Sequence, residues 1–146
     1  MRRRRYRRKV QAMARYMLLT KYDDDLGVGL MSEWDPDDMT AHLDYLRRLN
    51  QELIDNGELV EMRALAGPEL AKIVISGGPG GLVVTDGPYI EVKEVLAGYQ
   101  LVDVESEARA IEIAALVSAA PGPGGVPLRQ RIEVRQLMVA RSGDDL

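Results

Sequence analysis

Between Leu82 and Val104 the chain carries two apolar, β-branched stretches separated by Asp86-Gly87-Pro88-Tyr89. No regular element passes through that tetrapeptide. Asp86 can bond its own backbone two residues on, Gly87 accepts positive φ, and Pro88 fixes the exit direction. The run Leu82-Val83-Val84 therefore ends as a strand at a turn. The charged residues Glu91, Lys93 and Glu94 follow. A second strand is then predicted over residues 98–104, with Tyr99, Leu101 and Asp103 alternating against Gln100, Val102 and Val104.

The remaining elements are read against that centre. Residues 15–22 form a strand that is apolar on both faces until Lys21, as a central strand is. Asp23, Asp24 and Asp25 then leave the sheet as a solvated loop. A calcium loop would need acids at alternating positions and a Glu at its twelfth, where this chain has Trp34. Asp35-Pro36-Asp37-Asp38 opens a helix: a capping Asp, a Pro at the first helical position, and acids at the positive end of the dipole. The helix runs to about Asp55 and stops at Asn56-Gly57. Its predicted apolar stripe is Met39, Leu43, Leu46, Leu49, Leu53 and Ile54, with His42 on the flank and Asn50 near the centre. Polar side chains on a buried face either bond internally or line a cavity. Both readings stay open for His42 and Asn50.

Residues 59–65 alternate as a half-buried strand, ended by Gly67-Pro68. Residues 71–76 and 81–86 pair as a hairpin around Gly77-Gly78-Pro79-Gly80-Gly81. Those glycines make no phosphate cradle, since a strand rather than a helix follows and the P-loop Lys is missing. Ser106 caps a second helix, whose stripe is predicted at Ala108, Ile111, Ala114, Ala115 and Ser118. Residues 121–127 form a Pro- and Gly-rich loop, and residues 131–139 the last strand. The order strand, helix, strand, hairpin, strand, helix, strand is the α+β, ferredoxin-like β-α-β-β-α-β plan with an extra hairpin. Both helices should cover one face of the sheet. The other face keeps apolar residues, as interfaces do.

Composition narrows the chemistry. At 146 residues the chain is one domain, and without Phe its core must be aliphatic. The absence of Cys excludes disulfides, zinc–thiolate sites and a Cys nucleophile, and agrees with a cytoplasmic location. No apolar run approaches the roughly 20 residues that span a bilayer. The net charge of −4 conceals seven basic residues within positions 2–9; without them 12 basic residues face 23 acidic ones. A body so acidic avoids nucleic acid, which leaves the Arg-rich arm as the one segment able to bind it.

Several stretches together resemble one family. D-G-P-Y-x-E-x-K-E-x-L-x-G-Y (residues 86–99) is similar to the D-G-P-F signature of YCII-related (DGPF-type) proteins, with Tyr89 in place of Phe. A-H-L-x-Y-L-x-x-L (residues 41–49) resembles the family's H-x-x-Y-L stretch, and I-E-V-R (residues 132–135) its ending, with Gln136 where Pro is usual. M-A-R-Y-M-L-L (residues 13–19) looks like the family's start. The resemblance implies a domain over residues 13–140 and leaves residues 1–12 as a disordered basic extension, and the polar residues 141–146 read as a frayed tail. It implies a homodimer paired sheet to sheet as a dimeric α+β barrel, and a histidine in the pocket.

Two functions are open. In the first, the protein is a small-molecule-binding or regulatory module linked, as the resemblance implies, to extracytoplasmic-function sigma factors. In the second it is a His/Asp-dependent enzyme of isomerase or lyase type acting on a small organic acid, by analogy with relatives sharing the barrel plan. His42 would then be a general base oriented by Asp86. Tyr16 or Tyr89 would supply a phenolic hydrogen bond, Lys93 a positive charge, Glu91 the pocket rim and Asn50 a cavity contact. No cofactor, metal or membrane partner is expected. Asp86 has a second reading, in which it only bonds the amides of its own turn.

Overall fold

The computed structural model describes residues 14–23, 26–87 and 94–138. The expectations for the basic arm, the tail, Tyr89, Glu91 and Lys93 lie outside them. Six strands are described: β1 (Ala14–Asp23), β2 (Leu59–Ala64), β3 (Lys72–Ser76), β4 (Leu82–Asp86), β5 (Glu94–Val104) and β6 (Ile132–Gln136). The helices are α1 (Pro36–Asp55) and α2 (Glu107–Ser118). The main sheet has the order β2-β5-β1-β6, antiparallel throughout, and β3-β4 form a separate two-stranded sheet. This is the ferredoxin-like α+β arrangement with its hairpin inserted between β2 and β5. β1 is an inner strand, as its two apolar faces require.

Pleat alternation decides which side chains meet the helices. On β1, Tyr16 and Leu18 are buried; on β5, Gln100, Val102 and Val104 are. Tyr16 stands opposite Val102 and Leu18 opposite Gln100. Leu49 and Leu53 of α1 and Ala110, Ile113, Ala114 and Val117 of α2 close this face into an aliphatic core. β5 begins four residues earlier than the predicted 98, so it extends along the whole of β1. The last strand is shorter than predicted and ends at Gln136.

Both helices start as the sequence predicts: the Asp35 carboxylate accepts from the Asp37 N–H, and Ser106 Oγ from the Arg109 N–H. Their rotation differs. α2 buries Ala110, Ile113, Ala114 and Val117, whereas Ala108 and Ala115 are exposed and Ile111 is 53% exposed. Apolar residues surround this helix, so periodicity alone could not choose the face. A polar anchor chooses it: the Arg109 guanidinium donates through Nε and Nη2 to both Glu58 carboxylate oxygens at 2.9 Å, tying the first turn of α2 to the entry of β2. Likewise α1 turns His42, Leu49 and Leu53 inward and leaves Leu43 and Ile54 exposed. The Tyr45 hydroxyl donates to the Leu116 carbonyl and fixes the two helices side by side.

The fork on Arg109 holds the Glu58 carboxyl below its ordinary value of 4.5, against the opposing effect of its burial. Arg109 is raised still further above its already high value and stays charged throughout, so Glu58 alone sets the pH dependence. A depressed folded-state pKa stabilises fully above the unfolded value and loses that contribution as pH falls through the folded one. Glu58→Gln should therefore lower stability at neutral pH by about 1–3 kcal/mol. It should also flatten the acid limb below pH 4.5, as checked by urea denaturation across pH.

Candidate functional site

The site forms at the end of the main sheet where two irregularities coincide. The β1–β5 register shifts between Thr20 and Lys21, opposite Gly98 and Leu96, so Ala97 is an extra residue in β5. Such a bulge bends the strand and parts the ladder. Beside it, β2 passes so near Gly98 that a Cβ there would lie 2.7 Å from the Arg63 carbonyl oxygen. Glycine is required by that approach. Over this corner α1 presents His42, Leu46 and Asn50 and encloses a half-open cavity of about 150 Å³. Thr20, Gln100, Tyr99 and Gln130 add polar atoms to a largely apolar wall, and Arg63 is the one Lys, Arg, Asp or Glu among the described residues lining it.

His42 is 3% exposed, and its Nδ1 lies 2.9 Å from the Pro121 carbonyl oxygen. A carbonyl can only accept, so Nδ1 carries a proton, and whenever the ring is neutral Nε2 is the acceptor. Pro121 sits at the mouth of the loop after α2. There Gly122 N–H donates to the Val126 carbonyl, and Gly124 and Gly125 take positive φ to close the turn. Trp34 packs edge-on against the imidazole with ring centroids 5.5 Å apart, and its indole N–H donates to the Val28 carbonyl. Among the described residues every fully buried side-chain nitrogen or oxygen has a hydrogen-bond partner. Nε2 has no such partner among the described residues, so it is not fully enclosed, and His42 lines the cavity.

Asn50 and Gln100 form an amide pair: Gln100 Nε2 donates to Asn50 Oδ1 at 2.9 Å. This joins the centre of α1 to the centre of β5. Each amide spends one function on the other, and the pair retains an amino group and a carbonyl for a further partner. That remains true if both amides are turned over.

Of the residues singled out in the sequence, the fold thus brings together His42 and Asn50. Tyr16 is placed elsewhere, buried in the aliphatic core and absent from the cavity wall. Asp86 ends β4 on the hairpin with its side chain 86% exposed, paired to the Lys72 ammonium. It orients no histidine: the partner of Nδ1 is a backbone carbonyl. Among the described residues the partner of its carboxylate is Lys72, directly opposite in the β3–β4 register, and the rest of its turn lies outside them.

Gln100, Arg63, Trp34 and the Pro121 carbonyl were not singled out. Gln100 had a signal, being the polar member of the buried phase shared with Val102 and Val104. Trp34 and Pro121 had none, since both arrive from irregular loops.

The family model of the YCII-related domain covers residues 14–121, and the chain belongs to that family. The chain is also similar to an uncharacterized protein of Rhizobium meliloti (strain 1021), 27% identical over 124 residues that cover 84% of this chain and 92% of that one.

Three substitutions check these placements. Gln100→Leu leaves an Asn50 amide facing apolar surroundings and should cost about 1–3 kcal/mol, while Asn50→Leu with Gln100→Leu should recover much of the loss, a coupling read by a denaturation cycle. Asp86→Asn breaks an exposed ion pair and should change stability by less than about 1 kcal/mol, with the difference fading in high salt.

Proposed function

We propose that the protein is a cytoplasmic binding module for a small organic acid that carries a hydroxyl group. The observation that carries this reading is the bare Nε2 of a buried histidine facing an apolar cavity beside a half-used amide pair. An acceptor fixed in that tautomer selects a ligand that donates, and a hydroxyl donates. The amino group left on the amide pair selects an acceptor, and Arg63, which lines the cavity while its guanidinium donates to the Met62 carbonyl and lies 3.5 Å from the Glu61 carboxylate, adds a positive charge; a carboxylate satisfies both. The size of the cavity limits the ligand to a small one.

Binding without turnover is favoured by what surrounds His42. No Asp or Glu lines the cavity among the described residues, so the imidazole has no carboxylate to stabilise a positive charge during proton transfer. A ligand-sensing module of this kind suits a regulatory role beside an extracytoplasmic-function sigma factor. The enzyme reading, an isomerase or lyase of a small organic acid, would use the same Nε2 as a base.

The test is a titration with glycolate, lactate and malate, followed by calorimetry and by the fluorescence of the single Trp, which touches His42. Saturable binding should appear for at least one hydroxy acid and weaken by about tenfold or more, about 1.4 kcal/mol, in Arg63→Gln and in His42→Ala. Arg63 is exposed, so its substitution leaves the fold intact. Binding indifferent to both changes would overturn the reading. Consumption of the acid, lost with His42→Ala, would favour the enzyme.

A further inference from the structure

The two polar ends of the cavity stand far apart. His42, Leu46 and Asn50 all line it and follow one another at four-residue intervals along α1. Residues so spaced stack turn upon turn on one face of a helix. His42 and Asn50 are therefore two turns apart, and at about 1.5 Å of rise per residue their Cα atoms are separated by roughly 12 Å along the axis. Both side chains lean toward the N-terminus of the helix, so the spacing carries over to their tips. Each is held at its own end: His42 by the Pro121 carbonyl after α2, Asn50 by Gln100 in β5.

What lies between is apolar. Leu46 occupies the intervening turn of α1. Met62 stands directly opposite Gln100 in the β2–β5 register. Antiparallel partners share a face of the sheet, so Met62 lies on the side that α1 covers, next to the amide pair. Val117 of α2 adds to the same wall. Met62 is 36% exposed, so a ligand lying here dries surface that is otherwise wet. An unbranched, polarizable methionine adapts well to a straight aliphatic chain.

From this spacing we infer, on the hydroxy-acid reading of the site, that the ligand carries its hydroxyl and its carboxylate at opposite ends of a short, straight aliphatic chain. A 2-hydroxy acid has the two groups on neighbouring carbons and reaches only one end of the cavity at a time. A hydrogen bond of about 3 Å at each end leaves roughly 6 Å for the ligand to span. An extended chain advances about 1.2 Å per bond, so about five bonds separate the hydroxyl oxygen from the carboxylate oxygen. That is the separation in 4-hydroxybutyrate, and 5-hydroxypentanoate adds one bond. In either acid the hydroxyl donates to His42 Nε2 and the carboxylate accepts from the amino group left on the amide pair. The methylenes between them lie on Leu46 and Met62.

The experiment is calorimetric titration of the full chain with two pairs of isomers, 4- against 2-hydroxybutyrate and 5- against 2-hydroxypentanoate. Each pair keeps atoms and charge constant and moves only the hydroxyl. At least one terminal isomer should bind about tenfold or more tightly than its 2-hydroxy isomer. Met62→Thr keeps strand propensity, removes apolar surface beside the amide pair, and should weaken the terminal isomers by about threefold or more with unchanged circular dichroism. Equal affinity within both pairs, or tighter binding of the 2-hydroxy isomers, overturns the inference and leaves the hydroxy-acid reading standing. So does binding of the terminal isomers that ignores Met62→Thr. Absence of saturable binding by all four acids, and by glycolate, lactate and malate as well, overturns both.

Discussion

The site depends on one hydrogen bond, from His42 Nδ1 to the Pro121 carbonyl, between residues 79 positions apart. It joins the middle of α1 to the loop that follows α2 and gives a buried ring a fixed tautomer. Without it the imidazole could turn, either nitrogen could carry the proton, and the cavity would have no defined acceptor. Trp34 adds the second constraint by standing edge-on to the ring. The result is a polar group satisfied on one side and open on the other, as a binding atom has to be.

The same division of labour recurs across the site. The amide pair of Asn50 and Gln100 fastens α1 to β5 and keeps functions in reserve. The bulge at Ala97 and the bare Cα of Gly98 spoil the regularity of the ladder at the one place where helix and sheet must stand apart. Away from that corner the packing is ordinary: aliphatic residues of β1 and β5 against the inner faces of two helices, with the Glu58–Arg109 fork setting the rotation of α2. The aliphatic core and the cavity occupy different ends of one sheet.

How legible this was depends on the kind of signal. Caps, turns and strand alternation act over a few residues, and so Asp35, Ser106, Gly57 and the order of elements could be read directly. The helical faces were harder. α2 has apolar residues all round, and α1 has more leucines than its buried face can hold, so long-range polar contacts settled the rotation. His42 and Asn50 were legible as polar residues close to a buried stripe. Asp86 was singled out for its turn, but its register partner Lys72 lies fourteen residues back in a strand whose pairing fixes the contact. Tyr16 could not be separated from the core around it, because a tyrosine on a central strand looks the same in either place.

The chain contains a single histidine, which makes the central claim open to direct measurement. Nitrogen-15 NMR of the protein at neutral pH distinguishes the two imidazole tautomers without any substitution. The account predicts one species with the proton on Nδ1 and an unprotonated Nε2, and a change confined to Nε2 when a hydroxy acid binds. A ring protonated at Nε2, or averaging between tautomers, would contradict it.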